Sequence, residues 1–470
     1  MAARAIETDY LVIGAGATGM AFVDTLVAES SATAVVVDRY HRPGGHWTMA
    51  YPFVRLHQPS AAYGVNSRQL GSNGIDLTGW NRGLYELATV GEVCAYFDAV
   101  MQQQLLPTGR VSYFPMCEYQ GDRHFRTFSG DHYEVNVKRR IVDTTYMKVM
   151  VPSMRPPPYH VVPEIRCVPP NELPNIRQRC ARYVIIGAGK TAMDTCQWLL
   201  WYGIEPADIT WVRPRDPWLI NRVSLQFGAE FANCMAAGIS AENEAIMEGT
   251  SIDDLFERLV ASERLLRLDD SVRPTMFRCA VVSPMECEQL RRVRNVVRLG
   301  RVQHIVENRI VLDSGTVPTD AGTLHIDCST DGLGTRPTVP VFQGSHITVQ
   351  PLRRCQQVFS AAFIAHVEVA YSNDSVKNNL CAPDPHPDTD LDWVRTTLQR
   401  NRAYLQWLED DDLQEWLDDA RLNLLRYLSP KLPSDPAARE QVRRQRRITM
   451  EALNAKLERL LLSARPSSAT

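Results

Sequence analysis
The chain has 470 residues, a length that allows two or three domains, and its 44% hydrophobic and 22% charged content is that of an ordinary globular protein. A formal net charge of −3 sets up no field that would gather nucleic acid or an anionic membrane. The opening MAARAIETDYLVIGAG runs directly into a strand and no stretch of about 18 apolar residues follows, so a cytoplasmic protein without a secretory leader or membrane span is expected.

Residues 9–40 read as strand, glycine turn, helix, strand. Gly14-Ala15-Gly16-Ala17-Thr18-Gly19 is a full G-x-G-x-x-G directly behind the apolar run YLVI, the context in which the motif holds a dinucleotide. Gly14 allows the tight turn, Gly16 lets backbone approach a pyrophosphate, and Gly19 lets the helix pack on the strand. Asp38, followed by Arg39, closes the next strand and is placed to accept the ribose hydroxyls of an adenosine half.

Just downstream stands Pro43-Gly44-Gly45-His46-Trp47. A Gly-Gly-x-Trp at this distance from the ribose acid resembles the flavin-containing and Baeyer–Villiger monooxygenases, and Tyr51-Pro52-Phe53-Val54-Arg55 echoes the Tyr-Pro-x-x-Arg of the second branch. The resemblance implies that the first site holds FAD, with Asp38 on its ribose and Gly45, His46 and Trp47 beside the flavin; Trp47 as a plain core aromatic is the alternative. It also directs attention to the polar loop 55–66, where Arg55, His57, Gln58 and Asn66 are candidate active-site groups, each also readable as a loop hydrogen-bonding residue.

Residues 111–150 look strand-rich, with a hairpin turn at Ser129-Gly130-Asp131, and 151–174, with eight prolines, reads as an ordered linker. Residues 182–213 then repeat the first pattern. Gly187-Ala188-Gly189-Lys190-Thr191-Ala192 follows YVII and opens a helix, with Ala192 in place of the third glycine. Gly189-Lys190-Thr191 is not a Walker loop, because Val184 stands where that pattern needs its first glycine. Arg213 occupies the position that Asp38 has in the first unit. A guanidinium there binds a 2′-phosphate where a carboxylate would repel it, which favours NADPH over NADH; a surface charge on the sheet edge is the alternative. Lys190 is a further candidate for a phosphate.

Residues 219–295 look mainly helical, 302–319 read as a hairpin, and a strand leads into Asp327-Cys328-Ser329-Thr330-Asp331-Gly332. That last stretch resembles the strand end that closes the FAD site in the monooxygenases, with Thr330 and Gly332 as contacts. The tail from about 389 is helical, with Trp393, Leu398, Leu405, Leu408 and Leu413 at helical spacing, and is expected to dock on the body, with the last residues, 465–470, frayed.

The two glycine-turn units predict an α/β fold of two Rossmann-like dinucleotide-binding domains, each a doubly wound parallel sheet, with a C-terminal helical tail; the resemblance implies that the NADP module is inserted in the FAD module. The boundaries are 1–165 and 326–388 for the two parts of the FAD domain, 166–325 for the NAD(P)H domain with its helical insertion, and 389–470 for the tail. The eleven cysteines are odd in number and include no Cys-x-x-Cys pair, which points to free thiols and away from a disulfide framework, a zinc ribbon or a dithiol redox centre; no metal is expected. The resemblance implies an NADPH-using FAD monooxygenase acting on a small organic molecule with molecular oxygen, through a C4a-(hydro)peroxyflavin. One departure opens a second reading. The family's Phe-x-Gly-x-x-x-His fingerprint, which would fall in Tyr159–Val168, lacks its glycine and histidine here, so an FAD oxidoreductase without oxygen insertion is the alternative. A non-catalytic flavin- or nucleotide-binding protein is a third. Substrate and oligomeric state are not encoded in any motif.

Overall fold
The protein is described by a computed structural model covering residues 4–330, 332–428 and 431–464. Asp331 of the expected return segment and the terminal stretch 465–470 lie outside the described residues.

The first sheet is built on β1 (Arg4–Ile13), whose Leu11 and Val12 are both fully buried, as a strand covered on two faces requires. Helix α1 (Ala17–Glu29) crosses over to β2 (Ala34–Val37), which lies parallel to β1 with Tyr10 opposite Ala34 and Ile13 opposite Val37. A small hairpin of β3 (Gly64–Val65) and β4 (Arg68–Gln69) precedes α2 (Val90–Val100), which Thr89 and Glu92 start with a reciprocal capping box. The expected strand-rich region is β5 (Val111–Phe114), β6 (Cys117–Gly121), β7 (His124–Thr127) and β8 (His132–Asp143); the turn between the last two passes through Gly130 at φ +101°.

The proline-rich segment is more regular than a linker. Its β9 (His160–Val161) and β10 (Cys167–Val168) fill the short gaps between prolines and pair with strands far along the chain. The second nucleotide unit is β11 (Arg182–Ile186), α3 (Lys190–Trp201) and β12 (Ile209–Val212), with Tyr183 opposite Ile209 in parallel register.

The following region holds α4 (Ala232–Glu248), α5 (Ile252–Ala261) and α6 (Pro284–Arg291), but it is not simply helical. A three-stranded sheet of β13 (Pro217–Asn221), β14 (Leu265–Leu266) and β15 (Met276–Val282) runs through it. Its strands are buried enough to lose the polar alternation that marks a strand: Trp218, Leu219, Phe277 and Val282 are all within the core. After β16 (Asn295–Val297), the predicted hairpin is a three-stranded meander, β17 (Val302–Val306), β18 (Arg309–Leu312) and β19 (Gly315–Pro318).

Strand β20 (Thr323–Asp327) completes the second sheet, ordered β10-β20-β11-β12-β16 and parallel throughout. The chain then returns: β21 (Phe342–Gln343) and β22 (His346–Thr348) join β8, giving the first sheet the order β21-β22-β8-β1-β2-β5. Helix α7 (Gln357–Ala370) packs along α1 and is followed by α8 (Asp374–Leu380).

The tail is α9 (Asp390–Leu408), α10 (Asp411–Asp419) and α11 (Pro436–Ser463). Trp393, Leu398, Leu408 and Leu413 are buried and Leu405 is partly so. Leu453, Leu457 and Leu460 of α11 share one core cluster with Trp218, Phe256 and Trp393, which docks the tail on the insertion of the second module. Within α11, Arg439 and Arg443 pair with Asp411 and Arg447 pairs with Glu409.

One cysteine expectation is corrected. Cys279 on β15 and Cys355, just ahead of α7, are joined in a disulfide across a sequence separation of 76 residues, so a pair that spacing rules cannot detect is assembled by the fold. The other nine cysteines are free.

Candidate functional site
Both glycine turns have the backbone that an anion site needs. Gly14 sits at φ +101° and its N–H donates to the Val37 carbonyl, which ties the turn to the end of β2. A Cβ on Gly19 would lie 2.0 Å from the Gly14 carbonyl oxygen, so only glycine lets α1 sit this close to β1. Gly187 repeats the role of Gly14 at φ +133°, its N–H on the Val212 carbonyl. The helices that follow, α1 from Gly16 and α3 from Gly189, begin without any side-chain cap, so their first N–H groups keep their capacity to bind a phosphate. Around Gly189 no heavy atom comes within 4 Å of where a Cβ would be, leaving the approach open, whereas a Cβ on Gly16 would meet the Gly45 backbone at 3.6 Å.

Asp38 is buried at the end of β2. Its two oxygens accept from the backbone N–H groups of Ala15 and Tyr40, which fixes the carboxylate under the first turn while leaving each oxygen a further lone pair for a hydroxyl. Burial pushes its carboxyl up, and those two N–H donors work against the shift. The second motif is seated on the first: Gly44 donates its N–H to the Ala15 carbonyl, and a Cβ on Gly45 would be 2.9 Å from Gly16 Cα. These residues fit the pyrophosphate and ribose of an adenine dinucleotide.

Gly45 to Met49 form a single 3-10 turn that carries His46 and Trp47 into a cavity of about 1270 Å³. This exceeds the roughly 300–1,000 Å³ typical of a single small-molecule site. Gly187, Gly189, Lys190 and Thr191 line the same cavity, as do Thr330 and Gly332 from the return segment. Thr330 also donates through Oγ1 to the Met150 carbonyl at 2.6 Å, and Gly332 has φ +52°. Trp47 Nε1 donates to Tyr63 Oη at 2.8 Å, and the His46 ring stacks on Trp47 at 5.5 Å. Burial drives the His46 imidazole down to about 4, so it is neutral near pH 7.

A buried polar chain crosses from one motif to the other. Tyr51 Oη donates to Asp194 Oδ2 at 2.8 Å, and the other oxygen of Asp194 takes an ion pair with Lys190 of the second glycine turn. Burial raises the Asp194 carboxyl and the Lys190 charge opposes that rise. Lys190, expected on a phosphate, is held by this carboxylate.

The four loop candidates separate into two pairs. His57 and Gln58 line the cavity; Arg55 and Asn66 do not. Burial, and then the charges of Lys190 and Arg222, hold the His57 imidazole well below its usual range. Arg55 is exposed on a short bridge to Thr89. Asn66 is turned to the tail, where its Oδ1 accepts from the Leu422 N–H at 3.1 Å, so its amide acts as a loop anchor.

Arg213 also differs from expectation. It is 3% exposed, pairs with Asp216 at 3.3 Å and lies over the Trp211 ring at 4.7 Å, so its guanidinium faces the protein. Arg215, two residues on, lines the cavity. Its side chain is paired with Asp388 at 2.7 Å, and Arg298 is shared between Asp216 at 2.8 Å and Asp269 at 2.9 Å, so each guanidinium at the end of β12 has a carboxylate beside it.

Sequence reasoning missed several residues that shape this space. Arg222 is fully buried beneath the loop, its Nε on the His57 carbonyl at 2.9 Å and its Nη2 paired with Glu286 at 2.7 Å. Nothing in the sequence marks it. Asp194 was detectable as an acid four residues after Lys190 on an otherwise apolar helix face.

No protein-family model matches the chain. It is 60% identical over 440 residues to the uncharacterized protein Rv2000 of Mycobacterium tuberculosis H37Rv and to the uncharacterized protein Mb2023 of Mycobacterium bovis, covering 94% of this chain and 82% of each relative. Among solved structures it is similar to a steroid monooxygenase bound to NADP (12% identity, TM-score 0.47, 77% of this chain and 85% of that one). It is also similar to a flavin-containing monooxygenase from Stenotrophomonas maltophilia (14% identity, TM-score 0.43, 77% and 97%). No helix among the described residues is long and apolar enough to cross a membrane.

Proposed function
We propose that this chain, which belongs to the family of the two mycobacterial proteins, is an FAD-dependent, NADPH-using oxidoreductase whose reaction is the monooxygenation of a small organic molecule. One observation carries the reading: a single cavity is lined both by His46 and Trp47, on the turn seated on the first glycine unit, and by the second glycine turn, so groups held at each would meet in one space. In this reading residues 1–165 and 326–388 hold FAD, 166–325 hold NADPH, and 389–470 pack as a tail. FAD, when bound, supplies the hydride acceptor and the electrons for oxygen transfer.

The chain's own residues do the rest. Gly14, Gly16, Ala17, Thr18 and Gly19 receive the FAD pyrophosphate, Asp38 the ribose, and His46 and Trp47 the side facing the cavity, with Arg39 at the adenosine end. Gly187, Gly189, Thr191 and Ala192 receive the NADPH pyrophosphate. In this reading NADPH is preferred because β12 leads into Arg213 and Arg215 where β2 leads into Asp38, and a 2′-phosphate would draw these guanidiniums from Asp216 and Asp388. His57 and Gln58 line the reaction space, and the Tyr51–Asp194–Lys190 chain holds the two halves in register and excludes water between them.

The test is the visible spectrum of the purified protein before and after anaerobic NADPH, followed by labelled oxygen. Bleaching of a bound flavin and label in the product are the expected outcomes; a protein without flavin, or one not bleached by NADPH, sinks the proposal. The second reading, hydride transfer without oxygen insertion, is favoured by the stretch that lacks the family fingerprint: Tyr159 lines the cavity there and its hydroxyl is in contact with Cys167. Bleaching without label in any product selects it.

A further inference from the structure
One wall of the cavity belongs to neither glycine turn. It is made by α4, the segment between α5 and β14, β15, α9 and the approach to α7, and it carries Arg264, Arg353, Arg354 and Arg400. Glu242 is the single acidic side chain among the described cavity-lining residues. It is used by Arg264 at 2.7 Å and Arg400 at 3.3 Å.

Arg353 and Arg354 have no such partner: among the described residues no carboxylate lies within ion-pair distance of either guanidinium. Arg353 is 4% exposed, stacks over Phe359 at 4.1 Å and Trp407 at 5.2 Å, and donates from Nη1 to Asn423 Oδ1 at 2.8 Å. Arg354 lies over the Trp393 ring at 5.0 Å, donates to Thr397, and has a buried Nε without a partner. The nearby Asp384 carboxylate is turned to the backbone, accepting the Arg354 N–H at 2.5 Å. Burial lowers these two guanidiniums to about 9 and about 10, which leaves both charged at neutral pH. The charges of Glu242 and Asp384 act favourably on Arg354, whereas no carboxylate does so for Arg353; a buried charge without a counter-charge is costly, and an anion entering the cavity beside Arg353 removes that cost.

With Nη1 of Arg353 committed to Asn423, its Nε and Nη2 remain as one fork edge, a match for the two oxygens of a carboxylate. Phe277 and Trp393, against Arg354, and Leu453 of the same core cluster line the cavity as an apolar bed. The geometry points to Arg353 and Arg354 as a carboxylate subsite, so that the substrate is an organic acid with an apolar body. This rests on the reading of the cavity as the reaction chamber.

Calorimetric titration of the full-length protein with octanoate, octan-1-ol and octyl phosphate tests it. Octanoate should bind about tenfold or more tightly than octanol, as one charge-assisted fork implies. Arg353→Met should bring octanoate to the level of octanol while octanol still binds, which shows the fold is intact, and Arg353→Lys should restore part of the preference. Equal binding of acid and alcohol by the wild type, no octanoate binding, or an acid preference that survives Arg353→Met overturns the subsite. Tighter binding of octyl phosphate overturns the carboxylate assignment. NADPH bleaching in the same preparation reads the oxidoreductase proposal separately: acid preference without bleaching sinks that proposal and keeps the subsite, and the reverse result does the opposite.

Discussion

Replacing Gly189 by alanine separates phosphate binding from folding. The residue has φ −83°, open to any side chain, and its added Cβ meets no heavy atom within 4 Å. The folding cost is confined to alanine being a poorer helix cap than glycine, about 0.5–1 kcal/mol. Reduced freedom of the unfolded chain offsets this by about 0.4–1 kcal/mol. The melting temperature should therefore stay within about 2 °C of wild type. The methyl group projects about 1.5 Å into the space where a pyrophosphate must approach backbone. Losing one charge-assisted N–H bond of about 1.5–3 kcal/mol weakens NADPH binding roughly 10- to 150-fold. The assay is quenching of protein fluorescence by NADPH, run beside thermal melting. Gly187→Ala is the contrasting case, because at φ +133° its Cβ would sit 2.8 Å from the Cys328 carbonyl oxygen and melting should fall. If Gly189→Ala binds NADPH within about twofold of wild type at unchanged melting temperature, the second turn is not the phosphate site.

Gly45→Ala at φ +59° combines a left-handed backbone, costing about 1–2 kcal/mol, with a contact to Gly16 Cα; flavin absorbance per protein should drop while NADPH quenching persists. Arg222→Met leaves Glu286 as a buried unpaired charge and should cost about 3–5 kcal/mol in denaturant unfolding, recovered in large part by adding Glu286→Met; a loss under about 1 kcal/mol removes Arg222 as the clamp beneath His57. Burial holds both His46 and His386 at about 4, below the 6.5 of an unfolded histidine, so the stability from keeping them neutral is complete above pH 6.5 and lost as pH falls toward 4. The loss amounts to about 3 kcal/mol for each histidine at the full shift. Melting between pH 7 and 4.5 should show the fall, and His386→Gln should make it shallower.

The parts of this protein legible in the sequence were those with a local cause. Gly14 to Gly19 and Gly187 to Ala192 declare themselves because turn, phosphate approach and helix packing are all decided within six residues. The tail helices were visible because Trp393, Leu398 and Leu408 repeat at helical spacing. What stayed hidden depends on contacts distant in the chain. Arg213 reads as a phosphate ligand until Asp216 and the Trp211 ring are seen to claim it. Asn66 reads as an active-site amide until Leu422, more than 350 residues later, takes its oxygen. Arg353 and Arg354 look like any surface basic pair, since nothing local indicates that Phe359, Trp407 and Trp393 will enclose them. Strands β13 and β15 escaped for a related reason: strands buried over most of their length give no polar alternation to count.

Met450 and Leu453 reach the cavity from α11, beyond both nucleotide-binding units. During synthesis these residues leave the ribosome after everything else that lines the chamber. A nascent chain with both sheets already assembled would still have one apolar side of its pocket open, with Trp393 and Phe277 facing water. Premature stop products and tail-proteolysed forms should consequently be substrates for chaperones and prone to self-association, even where each nucleotide unit has closed around its own core.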